Sequence, residues 1–297
     1  MASLKDIKRH IVAVKQTQKL TKAMNMVAAA KLRANQNRTE RFRFYAEEHA
    51  RLVTEIGHRA PDIDSPLLSE LPAAPKSLIV AFTSDRGLCG SYNTNVISQV
   101  YKAIESQQGE GLQPELYVLG RKGFDYFNRF RTVNILFSRV GETGLVDYEM
   151  AREITGYLID LYKSGQHREI NLCYTAFKTL TRHVVTFDRL LPLVEDEHHK
   201  SQKSIIPHSS EQVYLIEPKP SDLLNRLIPR SLTIKVYRAL LESVTSENAA
   251  RMQAMDNASK SCKDIISSLT MAYNKARQAA VTNELLDIVN GAEALKG

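Results

Sequence analysis

The sequence predicts a chain of α/β class with two very long helices, the N- and C-terminal segments pairing as an antiparallel coiled coil around a central α/β domain. Three observations predict it. All 10 prolines and 11 of the 13 glycines lie between Gly57 and Pro229, so both ends are nearly free of the residues that break helices. Both ends also repeat apolar side chains at the 3,4 spacing of a helical seam. The middle alternates short β-branched runs with helical stretches. The boundaries that follow are 1–57 for the first helix, 58–75 for a proline-rich linker, 76–220 for the α/β domain and 221–297 for the last helix.

In the first helix, Ser3 with Asp6 reads as a capping box. Leu4, Ile7, Ile11, Val14, Gln18, Thr21, Asn25, Ala28 and Leu32 then mark a seam that is apolar at both ends and polar in its middle. Beside the polar stretch, Leu20, Met24 and Val27 form a second apolar stripe. That face must therefore meet something beyond one partner helix.

The last helix is expected to start from Asp222 behind Pro220 or from Ser231 behind Pro229, and Gly291 reads as its terminator. Met252, Met255, Ser259, Cys262, Ile266, Leu269, Tyr273, Ala276 and Ala280 continue the 3,4 spacing. Each seam alone would face water. Pairing the two ends buries both.

In the middle segment SLIVAFT, ELYVLG, VNILFS, EINLCYTAF, RHVVTFDRL and QVYLIEP read as strands. Helices are expected from the turn SDRGLCGSYN to about Gln108, in GFDYFNRF and in VDYEMAREITGYLIDLYKSG. This alternation predicts a Rossmann-like domain with a largely parallel sheet. Residues 195–212 read as an exposed loop.

Charge and composition narrow the function. The chain of 297 residues carries a net charge of +7, and residues 1–57 hold 12 basic but only 5 acidic side chains. No acid occurs between Ile7 and Thr39. Lys8, Lys15, Lys19 and Lys22 fall near one helix face and present a positive track to an acidic partner surface. Nucleic acid is not the expected partner, because aromatic residues are nearly absent from that track and no base-reading motif is present. No run is long and apolar enough to span a membrane, so membrane association is expected only through partners. The opening MASLKDIKRH lacks the apolar core of a secretory signal.

Catalytic, cofactor-binding and metal residues are all expected to be none. Neither GxxxxGK[ST] nor GxGxxG occurs, so no phosphate-cradling loop is expected. Cys89, Cys173 and Cys262 show no disulfide or metal spacing, and Cys89 reads as a structural thiol. His198, His199 and His208 lack cysteine partners or helical spacing for a metal, and Glu195 and Asp196 have no apolar frame that would raise a pKa.

VKQTQKLTKAMNMVAAAKLR (14–33), SDRGLCGSYN (84–93), SENAARMQAMDNAS (246–259) and YNKARQAAVTNELLDIVNGAEAL (273–295) together resemble the γ subunits of F-type ATP synthases of bacterial type, a likeness running from Leu4 to Leu295. The resemblance implies a non-catalytic central rotor shaft. Its coiled coil would stand inside a ring of three α and three β subunits, its α/β domain beside the ε subunit and the membrane c-ring, with ATP chemistry on β. It also implies ring contacts for Met24, Arg251, Gln278, Thr282 and Glu284, and a hydrophobic sleeve around Ile288, Val289, Ala292 and Leu295. The implied location is the cytoplasmic face of the inner membrane, peripherally bound. No close cysteine pair of the kind that regulates chloroplast versions is present, so no redox switch is expected.

Overall fold

A computed structural model describes residues 4–58, 65–130, 133–144, 146–180, 182–193 and 219–294. Helix α1 spans Leu4–His58 and α5 spans Pro220–Ala294. Between them run β1 (Lys76–Phe82), α2 (Tyr92–Gly109), β2 (Gln113–Leu119), α3 (Arg121–Phe130), β3 (Asn134–Arg139), α4 (Tyr148–Lys163), β4 (His167–Phe177) and β5 (His183–Leu191). The residues up to Ala30 form one compact unit with those from Arg251, and Lys31–Ala250 form another.

In the two-helix unit the side-chain amide of Asn25 donates to the Met252 carbonyl at 2.8 Å, and that of Gln18 donates to the Ser259 carbonyl at 3.4 Å. Seven residues back along α1 thus match seven residues forward along α5. The helices are antiparallel. The seam positions expected from Leu4 to Ala28, and from Met252 to Ala280, are all buried or half-buried. Continuing the register puts Leu4 level with Tyr273, so the last turns of α5 extend beyond the start of α1.

The α/β unit holds a five-stranded sheet in the order β3-β2-β1-β4-β5. Strands β1 to β4 are parallel, while β5 pairs antiparallel with β4. The inner strands are buried on both faces and therefore read as continuous apolar runs, as in LIVAF at 78–82. One face carries Leu78, Val80 and Phe82 against Ala151, Ile154 and Leu158 of α4, with Leu232, Val236 and Leu240 of α5 in the same core. On the other face Ile79 and Ala81 join Val96 and Val100 of α2 and Phe127 of α3. Asp147 caps α4 by accepting from the Met150 N–H at 2.8 Å.

One expectation at the helix ends is corrected. Gly291 does not terminate α5, which continues to Ala294. Of the two proposed starts the earlier is used: the backbone N–H groups of Asp222 and Leu223 both donate to the Lys219 carbonyl. The Ser231 hydroxyl instead turns back to the Leu227 carbonyl at 3.2 Å, and Pro229 lies inside the helix. An interior proline costs about 3 kcal/mol. Burial of Leu224, Ile228 and Leu232 on this stretch offsets it, at roughly 1.5–3 kcal/mol each. The expected strand QVYLIEP, the 195–212 loop and the candidate cap Ser3 lie outside the described residues. Part of the 58–75 segment is tied into the core, where Leu67 is buried.

Candidate functional site

Two places in the molecule hold features that packing alone does not require. The first is the surface of the two-helix unit. Its polar seam is built by Gln18, Thr21 and Asn25, where a plain coiled coil would use apolar residues. Gln18 and Asn25 grip the opposite backbone, as described, while the Thr21 hydroxyl turns back to the Gln18 carbonyl at 3.0 Å. Gln18, Lys19, Lys22, Asn25, Asp256 and Ser259 border an open groove of about 460 Å³. Asp256 is engaged by Lys260 at 2.7 Å.

Lys8, Lys15, Lys19 and Lys22 are all exposed. None makes an ion pair among the described residues. The second apolar stripe is only partly covered: Leu20 is 61% and Val27 58% exposed, while Met24 is half-buried. Arg251 is half-buried. Toward the end of α5, Gln278, Thr282 and Glu284 are exposed, and the Thr282 hydroxyl donates to the Gln278 carbonyl at 2.9 Å. Ile288 and Val289 are 67% and 52% exposed, with Val281, Leu285 and Leu286 open beside them. Open apolar side chains grouped in this way are a common mark of interaction surfaces. Leu295 and the side chain of Ala292 lie outside the described residues.

The second place is the carboxyl end of the sheet. Strand order reverses between β1 and β4, and open α/β sheets bind their ligands in the crevice at such a point. Here the crevice is filled from within the chain. Leu240, Ser243, Val244 and Glu247 of α5 close against Phe82, Thr83, Tyr92 and Leu119, leaving a void of about 10 Å³. A nucleotide has no room there.

The turn SDRGLCGSYN is held by its own polar side chains. Asp85 accepts from the backbone N–H groups of Arg121, Gly141 and Thr143 at 3.0, 2.7 and 2.9 Å, and from the Thr143 hydroxyl at 2.6 Å. Burial alone would raise the Asp85 pKa, but these four donors outweigh it and hold the carboxyl below its ordinary range. Cys89 is buried and accepts from the Asn93 amide at 3.2 Å. Burial pushes the Cys173 thiol up to about 12. Both thiols are buried. His198, His199, His208, Glu195 and Asp196 lie outside the described residues, and among the described residues no group of three or more His, Cys, Asp or Glu is placed to hold a metal ion.

At the opposite end of the sheet, Glu115 accepts from Lys76 Nζ at 3.2 Å, Asn134 Nδ2 at 3.0 Å and His167 Nε2 at 2.9 Å. Burial would raise Glu115, but these partners bring it below its ordinary value. Burial also lowers His167, against the opposing pull of Glu115. Sequence reasoning missed this network, the Asp85 hub and the buried polar stretch of α5. Only the last left a signal: SENAA has no apolar stripe although it lies within a long helix.

A family model described as ATP synthase matches residues 3–295. The chain is 41% identical over 297 residues to the ATP synthase gamma chain of Syntrophobacter fumaroxidans, covering 100% of both. It is 40% identical over 299 residues to that of Nitratidesulfovibrio vulgaris, again covering 100% of both. Among solved structures it is similar to a chain of the Tetrahymena thermophila mitochondrial ATP synthase, from its central stalk and c-ring, at 27% identity and TM-score 0.61, covering 81% of this chain and 99% of that one. Its fold also matches a chain of the Euglena gracilis mitochondrial ATP synthase at 18% identity and TM-score 0.68, covering 98% of this chain and 94% of that one. Paired terminal helices, a doubly wound domain with a filled crevice, and full-length likeness to such chains give one assignment: the chain belongs to the family of F-type ATP synthase γ subunits.

Proposed function

We propose that this chain is the central rotor shaft of an F1 sector, conveying torque between a membrane c-ring and catalytic sites on β subunits, and that it makes and breaks no bonds itself. The observation that carries the reading is the antiparallel pair of α1 and α5, its register fixed by Gln18 and Asn25 on the opposite backbone. Each elementary charge crossing a membrane is worth about 2.3 kcal/mol per 100 mV. Several charges per ATP thus send energy on the order of 10 kcal/mol through the shaft, comparable to the roughly 5–15 kcal/mol that holds a whole domain folded. A lone helix would fray under that load. Two helices locked along a seam share it.

Coupling needs a surface that each catalytic subunit meets differently as the shaft turns. Lys8, Lys15, Lys19 and Lys22 supply its charge, with Met24, Arg251, Gln278, Thr282 and Glu284 as further contacts to the α and β subunits. Ile288, Val289 and Leu295 turn inside an apolar sleeve of the same ring. In this reading the two helices over 1–57 and 221–297 are the shaft, 58–75 is a connection, and the 76–220 domain meets ε and the c-ring. No described helix is long and apolar enough to cross a membrane, which fits attachment to the cytoplasmic face of the inner membrane through partners.

Reconstitution tests this. Added to α and β subunits, the chain is expected to be required for cooperative ATP hydrolysis, and Lys15→Glu with Lys19→Glu and Lys22→Glu to lower ion pumping per ATP. ATP hydrolysis by the isolated chain would overturn the division of labour.

A further inference from the structure

Over Ala239–Ala249, about three turns of α5, every residue is buried except the half-buried Val244. A surface helix buries one stripe. This stretch is enclosed around its whole circumference. Its second half is polar: Glu242, Ser243, Thr245, Ser246, Glu247 and Asn248 are all buried. The Ser246 hydroxyl donates to the Thr175 carbonyl of β4 at 3.0 Å. Glu247 acts electrostatically on Tyr92, the first residue of α2, whose hydroxyl donates to the Phe82 carbonyl of β1 at 3.4 Å. The helix is thus seated at the reversal of strand order, bonded directly to β4 through Ser246 and lying beside Tyr92, whose own hydroxyl bonds β1.

We propose that this collar is the angular key of the rotor, with Ser246 as the positioning residue that stops α5 from turning about its own axis against the sheet when torque passes through it. Apolar packing is non-directional and tolerates rotation. Hydrogen bonds are directional, and a buried hydroxyl turned from its acceptor bears the full cost of desolvation. A rotation of α5 by one residue, about 100°, moves Ser246 off the Thr175 carbonyl and drives its neighbours into the sheet. The small side chains of this stretch have a purpose in that setting: they let the helix sink to the depth where its hydroxyl reaches a strand backbone.

This role rests on the rotor function above, and one experiment separates the two. Complexes carrying Ser246→Ala are assembled in inverted membrane vesicles, and ATP hydrolysis and ATP-driven ion pumping are measured together. Hydrolysis is expected to stay within about twofold of the parent while pumping per ATP falls about threefold or more, the order of effect of one lost hydrogen bond. Thr186→Ala, at a half-buried position of the edge strand β5, is expected to change neither. An assembled Ser246→Ala variant that pumps at the parent ratio overturns the key. If that variant does not assemble, Ser246→Cys, which keeps the size of the side chain but donates only weakly, is read by the same ratio. Parent chain that fails to restore pumping to complexes lacking it would sink the rotor function itself.

Discussion

Asn25 and Met252, 227 residues apart in the chain, are joined by a 2.8 Å hydrogen bond from the asparagine amide to the methionine carbonyl. The acceptor is a helix carbonyl already used within α5, so the bond marks where one helix surface is pressed against the backbone of the other. Asn25→Ala is expected to cost about 1 kcal/mol and to speed amide exchange around Met252 about fivefold. Asn25→Leu should recover stability but loosen the register. Exchange unchanged in the alanine variant would show that the bond does not set the pairing.

Asp85 ties together the segments that follow β1, β2 and β3. Asp85→Asn is expected to lower stability by about 1.5–3 kcal/mol, the range for hydrogen bonds to a charged group. Because its folded pKa lies below the ordinary 3.8, the contribution is complete above about pH 4 and is lost as pH falls toward the folded value. Melting curves of parent and variant should therefore converge on acidification. Curves that stay parallel would exclude the charge as the cause.

His167 works in the same direction at higher pH. Its pKa is lowered from 6.5, as are those of His49 and His183. Below pH 6.5 the unfolded chain takes up protons that the folded chain refuses, so stability is full above that value and declines as pH falls toward the folded values. His167→Gln is expected to make the decline shallower without abolishing it, because the other two histidines remain. Denaturant midpoints at intervals from pH 7 to pH 5 measure this.

Gly120 has a φ of +92°, and a β-carbon there would stand 2.2 Å from the Thr83 carbonyl oxygen. Gly120→Ala combines a strained backbone with a clash against the Thr83 carbonyl, just past the end of β1. It is expected to cost at least about 2 kcal/mol. Gly144→Ala, with nothing within 4 Å and no positive φ, is the matched control. Equal melting temperatures for the two would refute the steric account.

The helices and strands were legible because their signals are local. The absence of glycine and proline, together with 3,4 spacing from Leu4 to Leu32 and from Met252 to Ala280, is enough to name both partners of the seam. Strand β1 announces itself as an apolar β-branched run. Pro229 left two starts open for α5, and tertiary burial of its neighbours, which outweighs a local penalty, decides for the earlier. Asp85 stayed hidden for a different reason: its four donors come from segments 36 to 58 residues away, and no spacing rule encodes such a meeting. The surface of the two-helix unit was legible as charge, while the filling of the crevice by Ser243 and Glu247 required the fold.

The bond between Asn25 and Met252 also constrains synthesis. The first helix leaves the ribosome with its seam uncovered and must wait for more than two hundred further residues before its mate exists. Closing so long a loop is slow, although lengthening it adds little to the entropic cost. During that interval Ile7, Ile11 and Val14 are open to wrong partners, including the same segment of another nascent chain. The acid-free run of lysines along this helix then has a use before any assembly: like charge keeps unfinished copies apart.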